Sequence, residues 1–162
     1  STTAQIAMGD ALAVSLMQQR GFTSVDFARL HPGGSLGRRL LMTVGNVMRD
    51  HDLPVVGPDC SVVEMIHTIS KGGLGLIVIC DGDRIEGIVT DGDIRRAMER
   101  LKGDFFNIHA RDIATPHPKT IGAGEKLIEA ERVMTRNKIT SLLVTDEAGK
   151  LAGVIQIYDI KL

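Results

Sequence analysis

Apolar positions recur along this chain in two rhythms, and each rhythm occurs twice. Val62, Met65, Ile66 and Ile69 stand at helical spacing behind Ser61, and Leu127, Ala130, Val133 and Met134 repeat the stripe behind Lys126. Stripes of this kind predict amphipathic helices that bury one face. After each stripe comes a short unbroken apolar run, at residues 76–80 and 142–145, then an Asp-led turn, then a second run opened by glycine at residues 87–90 and 153–156. The runs predict strands and the turns predict hairpins. A brief extended segment precedes each helix, Pro54-Val-Val56 and Lys119-Thr-Ile121, and residues 93–101 predict a second helix after the first hairpin. The fold class expected is α/β in the broad sense (α+β), built from two β-α-β-β-α units.

The two units are copies. Val62-Val-Glu-Met65 lies over Leu127-Ile-Glu-Ala130 at an offset of 65 residues, and one extra residue in the second turn shifts the offset to 66, so that Gly87 meets Gly153 and Asp93 meets Asp159. Two copies make a pseudo-symmetric pair, since a solenoid needs three or more. Gly87-Ile-Val-Thr-Asp-Gly-Asp93 and Gly153-Val-Ile-Gln-Ile-Tyr-Asp159 each read as a strand closed by a polar residue, with an Asp three positions on that suits a helix N-cap. A strand that hands directly to a helix start gathers a hydroxyl, a carboxylate and free N–H groups around one point, which suits a sugar hydroxyl and a phosphate.

The first 45 residues follow a different plan. Residues 4–20 predict a helix stopped by Gly21, apolar on so many sides that it expects cover from several directions. Thr23-Ser-Val-Asp26 has the form of a capping box and opens a short helix to Leu30; His31-Pro-Gly-Gly34 breaks it, and residues 35–41 restart a turn or two. The region cannot close a core by itself. Between the two copies, the polar stretch 102–111 carries Phe105 and Phe106, which are expected to pack over the core or an interface.

Composition then removes function classes. The chain has 162 residues, 43% hydrophobic and 24% charged, with a formal charge of −1 and 3% aromatics, so neither a basic surface nor stacking platforms argue for nucleic acid. No apolar run reaches membrane-span length and no signal peptide opens the chain, which reads as soluble and cytoplasmic. Cys60 and Cys80 form no CxxC and read as reduced and structural. His31, His51, His67, His109 and His117 show no ligand spacing, so no metal site is expected. A start at Ser1 without Met, directly in helical sequence, reads as the middle of a longer protein.

The β-α-β-β-α order with Gly-x-x-Thr-x-x-Asp closing the second strand resembles a CBS motif, and residues 46–162 resemble a tandem CBS pair: repeat one at 46–101, a linker at 102–111 and repeat two at 112–162. Met8-Gly-Asp-Ala-Leu-Ala-Val14, Gly21-Phe-Thr23, and Asp26-Phe-Ala28 leading into His31-Pro-Gly-Gly-Ser-Leu-Gly-Arg-Arg-Leu40 resemble the end of the sugar isomerase (SIS) domain of bacterial arabinose 5-phosphate isomerases, so that residues 1–45 stand as an SIS tail. That resemblance implies interconversion of D-arabinose 5-phosphate and D-ribulose 5-phosphate, upstream of 3-deoxy-manno-octulosonate (Kdo) in lipopolysaccharide or capsule synthesis. The chemistry passes through an enediol and requires no metal or redox cofactor. It implies His31 as the one catalytic residue present, this polypeptide alone being inactive. It further implies nucleotide binding through Thr90, Asp93 and Asp159, with the Asp residues on ribose hydroxyls and Thr90 near phosphate. The implied effector is an adenine nucleotide or CMP-Kdo. The implied assembly is a homodimer through the CBS pairs and a tetramer in the full-length enzyme. Gln156 departs from the motif where repeat two should carry a hydroxyl. The competing class is a stand-alone CBS nucleotide-sensing or interaction module of another protein, which has no reason to carry residues 8–40.

Overall fold

The computed structural model describes residues 1–31 and 33–160. Helix α1 (Thr2–Gln19) is followed by α2 (Ser24–Leu30), whose Thr23 cap and Asp26 form the expected reciprocal box, and by α3 (Ser35–Leu41). The first repeat then runs β1 (Val55–Val56), α4 (Val62–Gly72), β2 (Leu76–Asp81), β3 (Arg84–Thr90) and α5 (Asp91–Leu101). A 3-10 turn at Lys102–Asn107 leads to α6 (Ala110–Ile113) and β4 (Thr115–Pro116). The second repeat runs β5 (Thr120–Gly122), α7 (Leu127–Asn137), β6 (Ser141–Thr145), β7 (Leu151–Gln156) and a one-turn α8 (Ile157–Ile160).

Two sheets result, β1-β2-β3-β4 and β5-β6-β7. In each, the short first strand lies parallel to the second and the second pairs antiparallel with the third. The unbroken apolar runs follow from burial on both faces. Along β2, Ile77 and Ile79 pack under α4 and α5 in one core while Leu76 and Val78 point the other way. Along β6, Leu142 and Val144 pack under α7 while Leu143 meets Leu76, Val78 and Val154 in a layer shared by both sheets. A strand with helices on one side and a sheet on the other has no polar face to show.

The segment preceding each repeat packs into the other one. Val44 is buried with Leu127, Met134 and Ile155 in the second core, and Met42, Val47 and Met48 pack against the same cluster. Backbone bonds tie this stretch to the second repeat: Val44 to the Glu125 carbonyl, Gly45 to Ala123, and Arg49 to Val154 in both directions. Conversely, Ala110 is buried in the first core with Val62 and Met65, its N–H bonds the Cys60 carbonyl, and β4 extends the first sheet by pairing with β3. The motif glycines sit where these segments cross. A Cβ on Gly87 would come within 2.9 Å of the Thr115 carbonyl oxygen, and one on Gly153 within 2.7 Å of that of Arg49. Glycine here admits a crossing backbone, not a turn.

Several expectations change. Ile66, read on the inward stripe of α4, is 41% exposed, because Val62, Met65, Ile69 and Gly72 already fill that face. Of the phenylalanine pair, Phe105 is 1% exposed within the first core and Phe106 is 67% exposed, stacked edge-on against it at 5.3 Å. α1 buries no residue: Ile6, Met8, Leu12 and Val14 are exposed, since a helix apolar all round turns no particular side to this chain's own cores. α3 does dock, through Arg39 on Glu131 of α7, with Lys126 Nζ donating to the Leu41 carbonyl at 2.8 Å.

Candidate functional site

Thr90 is both the last residue of β3 and the N-cap of α5, and here the sequence expectation needs correction. Asp93 is not the cap; it is the third residue of the helix, and the pair forms a reciprocal capping box. The Thr90 N–H and hydroxyl donate to Asp93 Oδ2 at 2.8 and 2.7 Å, and the Asp93 N–H returns to Thr90 Oγ1 at 3.3 Å. The strand needs no linking residue before the helix because its own final hydroxyl satisfies the orphan N–H. Arg96 Nη2 lies 2.6 Å from Asp93 Oδ1. Burial pushes the Asp93 carboxyl up, but the bonds from the Thr90 hydroxyl and N–H, with Arg96, outweigh it and hold the group below its ordinary value.

The second copy keeps half of this device. The Gln156 N–H donates to Asp159 Oδ2 at 2.7 Å, so Asp159 is likewise a third helical residue and not the cap. No hydroxyl faces it; the Gln156 amide instead donates to the Leu74 carbonyl and to Ser141 Oγ, both at 3.0 Å. His31 lies elsewhere, at the C-cap of α2, exposed, its ring 4.8 Å from that of Phe27. Pro32 of its motif lies outside the described residues.

Beside Thr90 opens a cleft of about 490 Å³ walled by both repeats. Thr90, Thr115, Thr140 and Ser141 offer hydroxyls, His117, Lys119 and Lys138 offer cations or donors, and Leu76, Ile88, Ile139 and Leu143 supply apolar surface. Among the described residues no carboxylate stands in the wall, and Asp93 reaches it through Thr90. Convergent donors over an apolar floor, positive and free of acid, match an anion joined to a flat hydrophobic group. A hollow of about 630 Å³ over Cys60 and Glu64 is larger but belongs to one repeat and carries acid in its wall. Among the described residues no three His, Cys, Asp or Glu side chains gather as a metal site. No helix there is long and apolar enough to cross a membrane.

Thr90, named from the sequence, lines this cleft, as do His117, Lys119 and Lys138, which the sequence reading did not name as binding residues. Their signal lay in two runs inside the second repeat, Thr115-Pro-His-Pro-Lys119 and Asn137-Lys-Ile-Thr-Ser141, dense in hydroxyls and bases. Lys138 and His117 both hold left-handed backbone, at φ 54° and 51°. That is uncommon for residues other than glycine and marks sharp corners at the cleft rim.

A family model described as the CBS domain matches residues 44–100 and 110–161. Among curated proteins, the chain is 44% identical over 160 residues to the arabinose 5-phosphate isomerase KpsF of Escherichia coli O6:H1, covering 98% of this chain and 48% of that protein. It is 42% identical over 161 residues to the arabinose 5-phosphate isomerase KdsD of Yersinia pestis, covering 98% and 48%. The chain thus spans about half the length of the curated relatives it matches. Among solved structures, CBSX2 in complex with AMP superposes with a TM-score of 0.63 at 25% identity, over 74% of this chain and 92% of that one. The paired units, the shared sheet layer and the match over both repeats agree: this chain belongs to the CBS domain family.

Proposed function

We propose that this chain is the nucleotide-sensing regulatory region of an arabinose 5-phosphate isomerase, working in the cytoplasm. The observation that carries the sensing role is the cleft at Thr90, where both repeats bring hydroxyls and three basic side chains to one apolar floor with no carboxylate in the wall. A ligand held there bridges the repeats and so reports its presence as a change in their relative hold. The isomerase context rests on the relatives that align along nearly the whole chain. Thr90 and Asp93 are the residues proposed to bind, with Asp159 the weaker counterpart. The effector proposed is an adenine nucleotide, with CMP-Kdo as the end-product alternative. His31 is the residue proposed to move a proton in the isomerisation. Ile6, Met8, Leu12 and Val14 on α1 expose an apolar surface that association of copies would cover.

Calorimetric titration of the chain with AMP and with CMP-Kdo, followed by an isomerase assay of the full-length protein in the presence of whichever binds, tests the reading. Saturable binding lost in Asp93→Ala, with a change in isomerase rate over the same concentration range, is expected. Absence of binding by both ligands sinks the sensing role; binding that leaves the rate unchanged sinks the regulatory one.

A further inference from the structure

Helix α7 joins the Thr90 cleft to the segment that carries His31. Its last residue, Asn137, and its cap, Lys138, line the cleft. At its other end it meets α3: the Leu127 N–H donates to the Met42 carbonyl at 3.1 Å, and Lys126 Nζ donates to the Leu41 carbonyl at 2.8 Å. One turn farther along α7, Glu131 receives Arg39 Nη2. Each helix thus closes the end of the other, since Met42 answers an orphan N–H of α7 and Lys126 an orphan carbonyl of α3. In turn, α3 begins directly after His31-Pro-Gly-Gly34. Its cap, Gly34, donates to the His31 carbonyl at 3.2 Å, and α2 and α3 pack on each other.

The duplication supplies a contrast. At the offset of 65 residues, Lys126 stands where the first copy has Ser61, and Glu131 where it has Ile66. Ser61 caps α4 with its own hydroxyl, accepting the Glu64 N–H at 3.4 Å, and Ile66 lies exposed. Lys126 makes no side-chain cap on α7 and turns to α3 instead. At both positions where α3 docks, α7 therefore departs from α4 by a charged group aimed at α3. With Leu127, Ala130 and Met134 fully buried, this three-turn helix moves as one piece, about 16 Å from end to end. The joint it bears on has two arrangements. Arg39 gives Glu131 one Nη, while its Nε is buried with no partner among the described residues. A guanidinium commonly meets a carboxylate through two parallel bonds, so a small slide of α3 along α7 converts the single bond into a pair.

We propose that α7 hands occupancy of the Thr90 cleft on to the His31 segment, with Lys126 and Glu131 as the positioning residues at the joint. The inference rests on the readings of the cleft as a nucleotide site and of the parent chain as a regulated isomerase, and its test separates them. AMP and CMP-Kdo are each titrated calorimetrically into the full-length protein, as wild type, Lys126→Met, Glu131→Gln and Lys126→Arg. Isomerase kcat/KM is then measured with and without saturating ligand. A ligand that binds the wild type is expected to change its rate by about 5-fold or more. Lys126→Met and Glu131→Gln are expected to keep the affinity and the ligand-free rate within about 3-fold and to lose most of that change, whereas Lys126→Arg, which restores a donor toward Leu41, keeps it. A wild-type response in either folded variant, Lys126→Met or Glu131→Gln, overturns the inference and leaves both readings standing. A ligand-free rate that falls along with the response overturns it as well, the joint then being a structural tie. No binding of either ligand removes the sensing reading, binding without a rate change in the wild type removes the regulatory one, and each overturns the inference with it. Should Glu131→Gln not fold, Lys126→Met, which removes one exposed bond, decides by the same outcomes.

Discussion

The Thr90 hydroxyl points its hydrogen at Asp93 Oδ2, 2.7 Å away, while Arg96 holds the other carboxylate oxygen at 2.6 Å. With its proton on Asp93 and one lone pair accepting the Asp93 N–H, Thr90 has a single lone pair left to offer, so the group best received beside it is a donor such as a sugar hydroxyl. The anionic end of a ligand is better received by Lys119, Lys138 and His117. For the proposed nucleotide, this hydrogen-bond sense argues for the sugar at Thr90 and the phosphate farther off, unlike the role the family pattern implies for Thr90. Thr90→Val, which keeps the shape and removes the hydroxyl, is expected to weaken AMP binding about 10-fold or more in calorimetry. It should also weaken adenosine binding by a similar factor, because the lost contact is to the sugar. Loss confined to AMP would place the phosphate at Thr90 instead.

Asp93 and Asp159 hold equivalent backbone positions but unequal surroundings. Asp93→Ala is expected to abolish nucleotide binding, while Asp159→Ala retains most of it. Each loses about 1 kcal/mol of stability from a weakened helix start, measurable in urea unfolding. Equal effects on binding would mean that Gln156, standing where the first copy has Thr90, makes no difference.

The depressed Asp93 carboxyl carries a pH signature whose sign is fixed. A carboxylate with its folded pKa below the unfolded value of about 3.9 contributes stability that is full above that value and is lost as pH falls through the folded pKa. The stability difference between wild type and Asp93→Asn should therefore be constant from neutrality to about pH 5 and shrink below about pH 4, because the wild-type group then protonates. Urea midpoints at stepped pH check this; a difference that widens on acidification would contradict it.

Much of the fold was readable because strand runs, helix stripes and turns obeyed their periods twice over. The crossing segments were not. Nothing in the period of residues 42–49 shows that Val44 is buried under α7 and not against α4, since an apolar residue before a strand suits either core. The sequence did mark the crossings indirectly, through Gly87 and Gly153, which open their strand runs for a reason only the packing reveals. Gly87→Ala and Gly153→Ala are each expected to cost roughly 1–3 kcal/mol, as overpacking does, because the atoms met at 2.9 and 2.7 Å are backbone oxygens that cannot rotate away. Thermal unfolding of the two variants decides it, and an unchanged midpoint would mean the crossing segments shift freely. Of the residues that line the cleft, the repeat brought out Thr90, whereas His117, Lys119 and Lys138 fall opposite Asp52, Pro54 and Gly73 in the first copy, so the duplication gave those bases no echo to read.

His31 is the residue whose meaning depends most on chemistry outside this cleft. It caps α2 through its N–H on the Phe27 carbonyl, its ring leans on Phe27, and its side chain is otherwise exposed. A Cβ on Gly33 would meet nothing within 4 Å, and one on Gly34 only the His31 carbonyl at 3.6 Å, so the glycines are not required by this chain's own packing. Backbone left bare beside an exposed imidazole suits close approach of a small substrate, and a ring nitrogen held there could pass a proton to or from its oxygens. In a full-length protein that isomerises arabinose 5-phosphate, His31→Asn is therefore expected to lower kcat roughly 10²-fold or more, the range for a lost acid–base group, with KM nearly unchanged. A variant that keeps its turnover would reduce His31 to a helix end. One that loses folding together with activity would do the same, since the ring's contact with Phe27 would then be its whole role.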